Sequence, residues 1–147
     1  MKCSRSILVS AFLLLCFTPL FAHHLAVIVD KDNSVSGMTH AHLAKIFRSE
    51  VKKWPDGKDI VIVLHQDAPG EMLTLERLTN MSARELLERI GHEHGITQVN
   101  SDADVLRVVG SVPGAVGLVD VREINDHVRV VKVGGKLPLE AGYLPHQ

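Results

Sequence analysis

Apolar residues along this chain fall into short continuous runs separated by polar, Gly- and Pro-bearing turns. Leu25 to Val29 (LAVIV) is unbroken and ends at Asp30. Ile60 to Leu64 and Ala115 to Val119 repeat the pattern, and Val128 to Val133 is a further Val-rich strand that carries Arg129 and Lys132. Runs of this length without polar alternation predict strands covered on both faces. Between them the apolar spacing changes to that of helices. Thr39 is placed to cap a helix whose Leu43, Ile46 and Phe47 share a face. Pro69 suits a first helical position, and Met72, Leu75 and Leu78 continue to Asn80. Ser82 with Glu85 forms a capping box for a helix through Ile90, stopped by Gly91. Ser101 with Asp104 opens another, carrying Val105, Leu106, Val108 and Val109 and broken by Pro113-Gly114. Pro55-Asp56-Gly57 is a turn in which each residue has a conformational reason to be present. The tail beyond Gly134-Gly135 is expected to be loosely held. Strands alternating with helices predict an α/β domain with a mixed, mostly buried sheet flanked by helices.

The first 22 residues read differently. Lys2 and Arg5 precede an apolar stretch from Ile7 to Leu15, and Ala22 ends the segment. This is the pattern of a secretory signal cleaved after Ala22, leaving residues 23–147 as one domain. The stretch is short for a membrane span, so no span is expected after cleavage. A lipoprotein signal at Cys16 is rejected because Leu15 is not small. Cys3 and Cys16 both lie inside this segment, so the remaining domain has no disulfide.

Composition narrows the function classes. The chain of 147 residues is 46% hydrophobic and 22% charged, which excludes a disordered protein. Lys and Arg number 16 against 17 Asp and Glu, with no basic run, so the footprint of nucleic-acid binding is missing. The sequence has no G-x-S-x-G, no H-E-x-x-H and no P-loop, and an enzyme is not expected. Trp54, beside the Pro55 turn, reads as a core anchor, and Met38, Met72 and Met81 read as core filler.

Three stretches carry a resemblance: LAVIVDKDNSVSGMTHAHLAKIF, WPDGKDIVIVLHQD and SDADVLRVVGSVPGAVGLVD. Phe47 followed after six residues by Trp-Pro-Asp-Gly, with Pro-Gly-Ala-Val-Gly-Leu-Val near the far end, resembles the periplasmic phosphate-binding proteins of ABC transporters. The chain is more similar still to their short, single-lobe relatives. The resemblance runs through nearly all of residues 23–147 in the same order. It implies a periplasmic, single-lobe domain of the type II periplasmic-binding-protein kind, keeping one of the two lobes that close on an anion in the longer relatives. It also implies a phosphate-like oxyanion as ligand and an envelope transporter or sensor as partner. No cofactor is implied.

The same resemblance assigns a candidate ligand loop: His65, Asp67, Ala68, Gly70, Glu71 and Met72. In the phosphate binders this loop resembles Arg-x-Asp-Gly-Ser-Gly-Thr. Here His65 stands in place of the Arg, Ala68 in place of a Gly, Pro69 of the Ser and Glu71 of the Thr, while Asp67 and Gly70 fit. A strand delivering a Gly-bearing turn to a helix start is an anion site in principle. Pro69, however, removes an N–H donor. Glu71 satisfies the helix dipole from inside, an effect of about 0.3–1 kcal/mol. Lost hydrogen bonds to a charged ligand cost more, about 1.5–3 kcal/mol each. Tight phosphate binding is therefore not expected, and protonation of His65 below about pH 6.5 would restore some affinity. An ordinary strand-to-helix connection with an acidic cap is the plain alternative.

The chain has 9 His. His40-Ala41-His42 and His92-Glu93-His94 are pairs whose plain reading is surface histidine. Cleavage after Ala22 would leave His23 as a terminal residue followed by His24. Its amine and imidazole, with a further imidazole such as His127 or His146, would suit Cu(II), and a copper- or zinc-binding envelope protein using His23, His24 and other His is a further alternative.

Overall fold

Strand β1 (Leu25–Asp30) is buried at every position, and its neighbours explain why an unbroken apolar run was needed. The computed structural model describes residues 23–92 and 95–145. The signal-peptide expectation for residues 1–22 and the residues His94 and His146 lie outside them. The element order continues with β2 (Gly37–Met38), α1 (His40–Phe47), β3 (Val61–His65), α2 (Pro69–Thr79), α3 (Ala83–His92) and β4 (Ile96–Val99). Then follow α4 (Asp102–Ser111), β5 (Ala115–Asp120), a 3-10 turn (Val121–Glu123), β6 (Val128–Val130) and β7 (Lys132–Val133).

The main sheet has 5 strands in the order β4-β3-β5-β1-β6. Strand β3 pairs in parallel with β4 and β5, whereas β1 is antiparallel to both β5 and β6. Side chains alternate across the sheet. Val27 and Val29 join one core with Leu43, Phe47, Leu75 and Leu86 from α1, α2 and α3. Ala26 and Ile28 point into another with Val105 and Val109 of α4. Helices thus cover both faces, as the pattern predicts.

The caps follow the sequence. The Thr39 hydroxyl accepts from the N–H of His42, and the Ser101 hydroxyl from that of Asp104. Ser82 and Glu85 satisfy each other's N–H groups at 2.9 and 3.2 Å. Trp54 is 2% exposed, and its indole N–H donates to the Gly114 carbonyl at 2.9 Å. Met38, Met72 and Met81 pack on the core formed with α1–α3. Gly114 sits at φ 83°, where a Cβ would lie 2.1 Å from the Asp59 carbonyl oxygen. Only glycine lets the chain approach that closely.

Some expectations fail. Gly91 does not stop α3, which continues to His92; a single Gly inside a helix is tolerated at a cost of about 1 kcal/mol. The run Val128–Val133 is not one strand. It divides at Val131, because β7 leaves the main sheet to pair in parallel with β2, Gly37 opposite Lys132. Edge strand β4 has one buried residue and too little apolar signal to be read. The tail is not loose. Tyr143 is fully buried; its hydroxyl accepts from the Val27 N–H at 2.9 Å and donates to the Val131 carbonyl at 2.7 Å. The imidazole of His40 binds the Gly142 and Tyr143 carbonyls, so His40 is a tail contact rather than a solvated side chain.

Candidate functional site

Because β1 runs against β5, Leu25 lies opposite Asp120. The chain just before β1 is thereby brought to the end of β5. The end of β3 lies on the same side of the sheet, followed by the start of α2, and α4 begins nearby. These four chain ends enclose a crevice of about 360 Å³.

His65 closes β3, and its Nδ1 lies 2.9 Å from Asp102 Oδ1 in the first turn of α4. The other oxygen of Asp102 accepts the backbone N–H of Asp120 at 3.0 Å. A single carboxylate thus fixes the imidazole and ties α4 to the end of β5. Ala68 is the N-cap of α2 and offers no side-chain acceptor. Pro69 has no N–H, leaving the amides of Gly70 and Glu71 as the donors of this helix start.

Glu71 decides the character of the site. It is 1% exposed, and its Oε1 accepts the His65 backbone N–H at 3.2 Å. The first turn of α2 thus places its own carboxyl group against the end of β3. Burial pushes that carboxyl well above the ordinary carboxylate range. The His65 amide pulls it partly back, and the charge of Asp102 pushes it further up.

On the opposite wall Arg122 grips Asp120 through two nitrogens, Nε to Oδ1 at 2.9 Å and Nη2 to Oδ2 at 2.7 Å. The guanidinium hydrogen bond holds the Asp120 carboxyl far below the usual range, against the opposing effect of burial. His23 Nδ1 approaches the same carboxylate at 3.0 Å. Glu123 completes this wall.

Of the loop residues singled out in the sequence, His65, Ala68, Gly70 and Glu71 line the crevice. Asp67 is exposed and outside its lining, and Met72 is turned toward the core. His23 reaches the crevice, but His24 does not line it, and its Nδ1 is buried without a hydrogen-bond partner. Among the described residues, no group of three or more His, Cys, Asp or Glu is arranged to hold a metal ion. The sequence does not single out Asp102, Asp120, Arg122 or Glu123, which also line the crevice. Asp120 did carry one signal, an acid ending a wholly apolar strand.

A second groove of about 360 Å³ lies at the other end of β3, beside Ile46, Val51 and Gly95. Its charged lining is limited to Lys52 and Asp59, and it brings no comparable set of groups together. No helix among the described residues is long and apolar enough to cross a membrane.

A family model described as a PBP superfamily domain matches residues 15–144. Solved structures share the fold. An ABC-type phosphate transport receptor from Vibrio cholerae superposes with a TM-score of 0.67 at 20% identity, over 78% of this chain and 48% of that one. PstS from Borrelia burgdorferi gives 0.56 at 20% identity, over 78% of this chain and 49% of that one. A phosphate-binding protein from Stenotrophomonas maltophilia gives 0.65 at 14% identity, over 79% and 40%. The chain therefore spans about half the length of these receptors or less.

Proposed function

The chain belongs to the PBP superfamily domain family, and on that premise we propose that it is a non-enzymatic, solute-binding-protein-like domain of the periplasm. Its first 22 residues serve as the export signal, and the crevice at the end of β3 is its recognition site. Its task is sensing, or work beside an envelope transporter or sensor protein, rather than tight capture of phosphate.

The observation that carries this reading is the buried Glu71 carboxyl on the His65 amide. A phosphate-like oxyanion at the start of α2 would have to displace or adjoin that group. It would also meet Asp102, Asp120 and Glu123. The lost donors, at about 1.5–3 kcal/mol each, outweigh what the helix dipole returns. Capture further requires walls that remove most of the ligand's surface from water. Pro69, Gly70 and Arg122 leave this crevice open to solvent. Calorimetry of the purified protein with inorganic phosphate is expected to find no submicromolar complex. A tight one-to-one complex would overturn the reading.

A second reading, an accessory interaction module, is favoured by Leu137 and Leu139 on the tail, 48% and 70% exposed. It predicts concentration-dependent association that Leu139→Glu abolishes. Light scattering that finds monomer throughout, unchanged by the substitution, would count against it.

A further inference from the structure

We propose that a single halide ion, chloride in ordinary buffers, binds between Asn33 and Arg129 and pins the loop after β1 to β6. The site is separate from the crevice, whose lining includes neither residue.

The first observation is a pair of buried donors on side chains that meet. Asn33 lies in the loop between β1 and β2 and is 2% exposed. Its Oδ1 accepts the Val35 N–H at 2.9 Å, which fixes which end of the amide is which. Its Nδ2 is buried and donates to no acceptor among the described residues. Arg129 of β6 reaches the same loop. Its Nη2 donates to the Asn33 carbonyl at 2.6 Å and to the Val35 carbonyl at 2.7 Å. Its Nε is also buried and also has no acceptor. A buried N–H without an acceptor is costly, and one compact acceptor reached by both removes the cost.

The second observation is a charge without a counter-charge. A guanidinium stays cationic throughout the range in which a protein is folded. Among the described residues no carboxylate pairs with Arg129. The acids closest to Asn33 in the chain do not take that role. Asp30 Oδ2 accepts the Gly114 N–H at 3.0 Å, and Asp32 is exposed. The two carbonyls bring only partial charge. Water would accept the N–H groups but leave the cation uncompensated, whereas an anion does both.

Burial also sets the size of the ion. Both orphan nitrogens are closed to solvent, and neither residue lines a surface crevice. A tetrahedral oxyanion would need donors around all its oxygens and room to hold them. A one-atom ion accepts N–H groups from any direction and needs the space of about one water. The chain beyond Asn33 runs through β2 to Thr39, the cap of α1. An ion at Asn33 therefore fixes the entry to α1 and stabilises the folded state alone.

The test is urea denaturation of the full chain in chloride or bromide, with gluconate keeping the ionic strength constant, together with a crystal of the same protein grown in bromide. The unfolding equilibrium constant should fall by up to about tenfold for each tenfold rise in halide. Bromide should give an anomalous peak within hydrogen-bond distance of Asn33 Nδ2 and Arg129 Nε. Asn33→Asp keeps the acceptor for the Val35 N–H and puts a carboxylate oxygen in place of Nδ2. It should match the parent in gluconate and lose the halide response. Arg129→Lys, which keeps the charge but has no Nε–H, should weaken the response at least tenfold in halide concentration. Stability that ignores halide, or a map with water rather than bromide between the two nitrogens, would overturn the proposal. A halide response retained in both variants would overturn it too, because the ion would then lie elsewhere. If Asn33→Asp does not fold, Arg129→Lys and the bromide map of the parent decide the matter.

Discussion

Tyr143→Phe removes one oxygen atom and should cost a large part of the stability of this domain. That oxygen stands where β6 gives way to β7 and spans a gap in the sheet. It accepts the Val27 N–H at 2.9 Å and donates to the Val131 carbonyl at 2.7 Å. Val27, Val131 and Tyr143 are all fully buried, so water cannot replace it without opening the structure. Burial also pushes the phenol up to about 12, so it remains a donor throughout the useful pH range. Phenylalanine keeps the ring but strands a backbone donor and a backbone acceptor, each at about 1–3 kcal/mol. Allowing for the gain from burying a less polar ring, the net loss should be about 2–4 kcal/mol. Against a total of about 5–15 kcal/mol this is a major loss. Urea denaturation should show a lower midpoint with an unchanged m-value. The melting temperature should fall by roughly 8–16 °C, at about 4 °C per kcal/mol for a domain of this size. Hydrogen exchange at Val27 should accelerate more than exchange at Leu118, its partner across the sheet. A stability change below about 0.5 kcal/mol, with Val27 still protected, would refute the bridging role and return the tail to a loosely held segment.

Other outcomes follow from the same packing. Gly114→Ala should destabilise by more than about 3 kcal/mol in urea, because its Cβ would lie 2.1 Å from the Asp59 oxygen at a φ of 83°. Glu71 has a folded-state pKa raised above its ordinary 4.5. Its contribution is therefore fully present below that value and declines as pH rises through the folded-state pKa. Thermal melts of Glu71→Gln should gain on the parent as pH rises above about 4.5, and a constant offset at every pH would contradict the assigned burial. Asp120 has the opposite sign: its pKa is depressed from 3.8, so its contribution is present above that value and lost as pH falls below it. Asp120→Asn should flatten the acid limb of the stability profile, and acid melts that keep the parent's slope would show that the Arg122 grip is not felt in solution.

Local rules made much of this protein legible. Leu25 to Val29 had to be a doubly covered strand because every residue is apolar. Thr39, Ser82 and Ser101 marked helix starts because their hydroxyls have nearby amides to satisfy. Trp54 could be read as an anchor from its place between a turn and a buried strand. Such signals fail where a long-range partner decides. No spacing within Val128–Val133 reveals the break at Val131, because its causes are β2 and Tyr143, far away in the chain. Strand β4 is held by its pairing to β3 rather than by its own apolar content. The turn at residues 65–71 could be found as a strand-to-helix junction, but its electrostatics could not. Asp102 is 37 residues beyond His65, and Asp120 is 97 beyond His23.

The sequence alone determined the layers and the helix starts, because apolar runs and caps act over a few residues. It also placed an acid at the start of α2. The tertiary structure decided what that acid does. The antiparallel pairing of β1 with β5, and the arrival of α4 beside β3, gather Asp102, Asp120, Arg122 and His23 around Glu71. Removing that carboxyl from water raises its pKa, and burial is a property of the assembled layers that no local stretch of sequence carries.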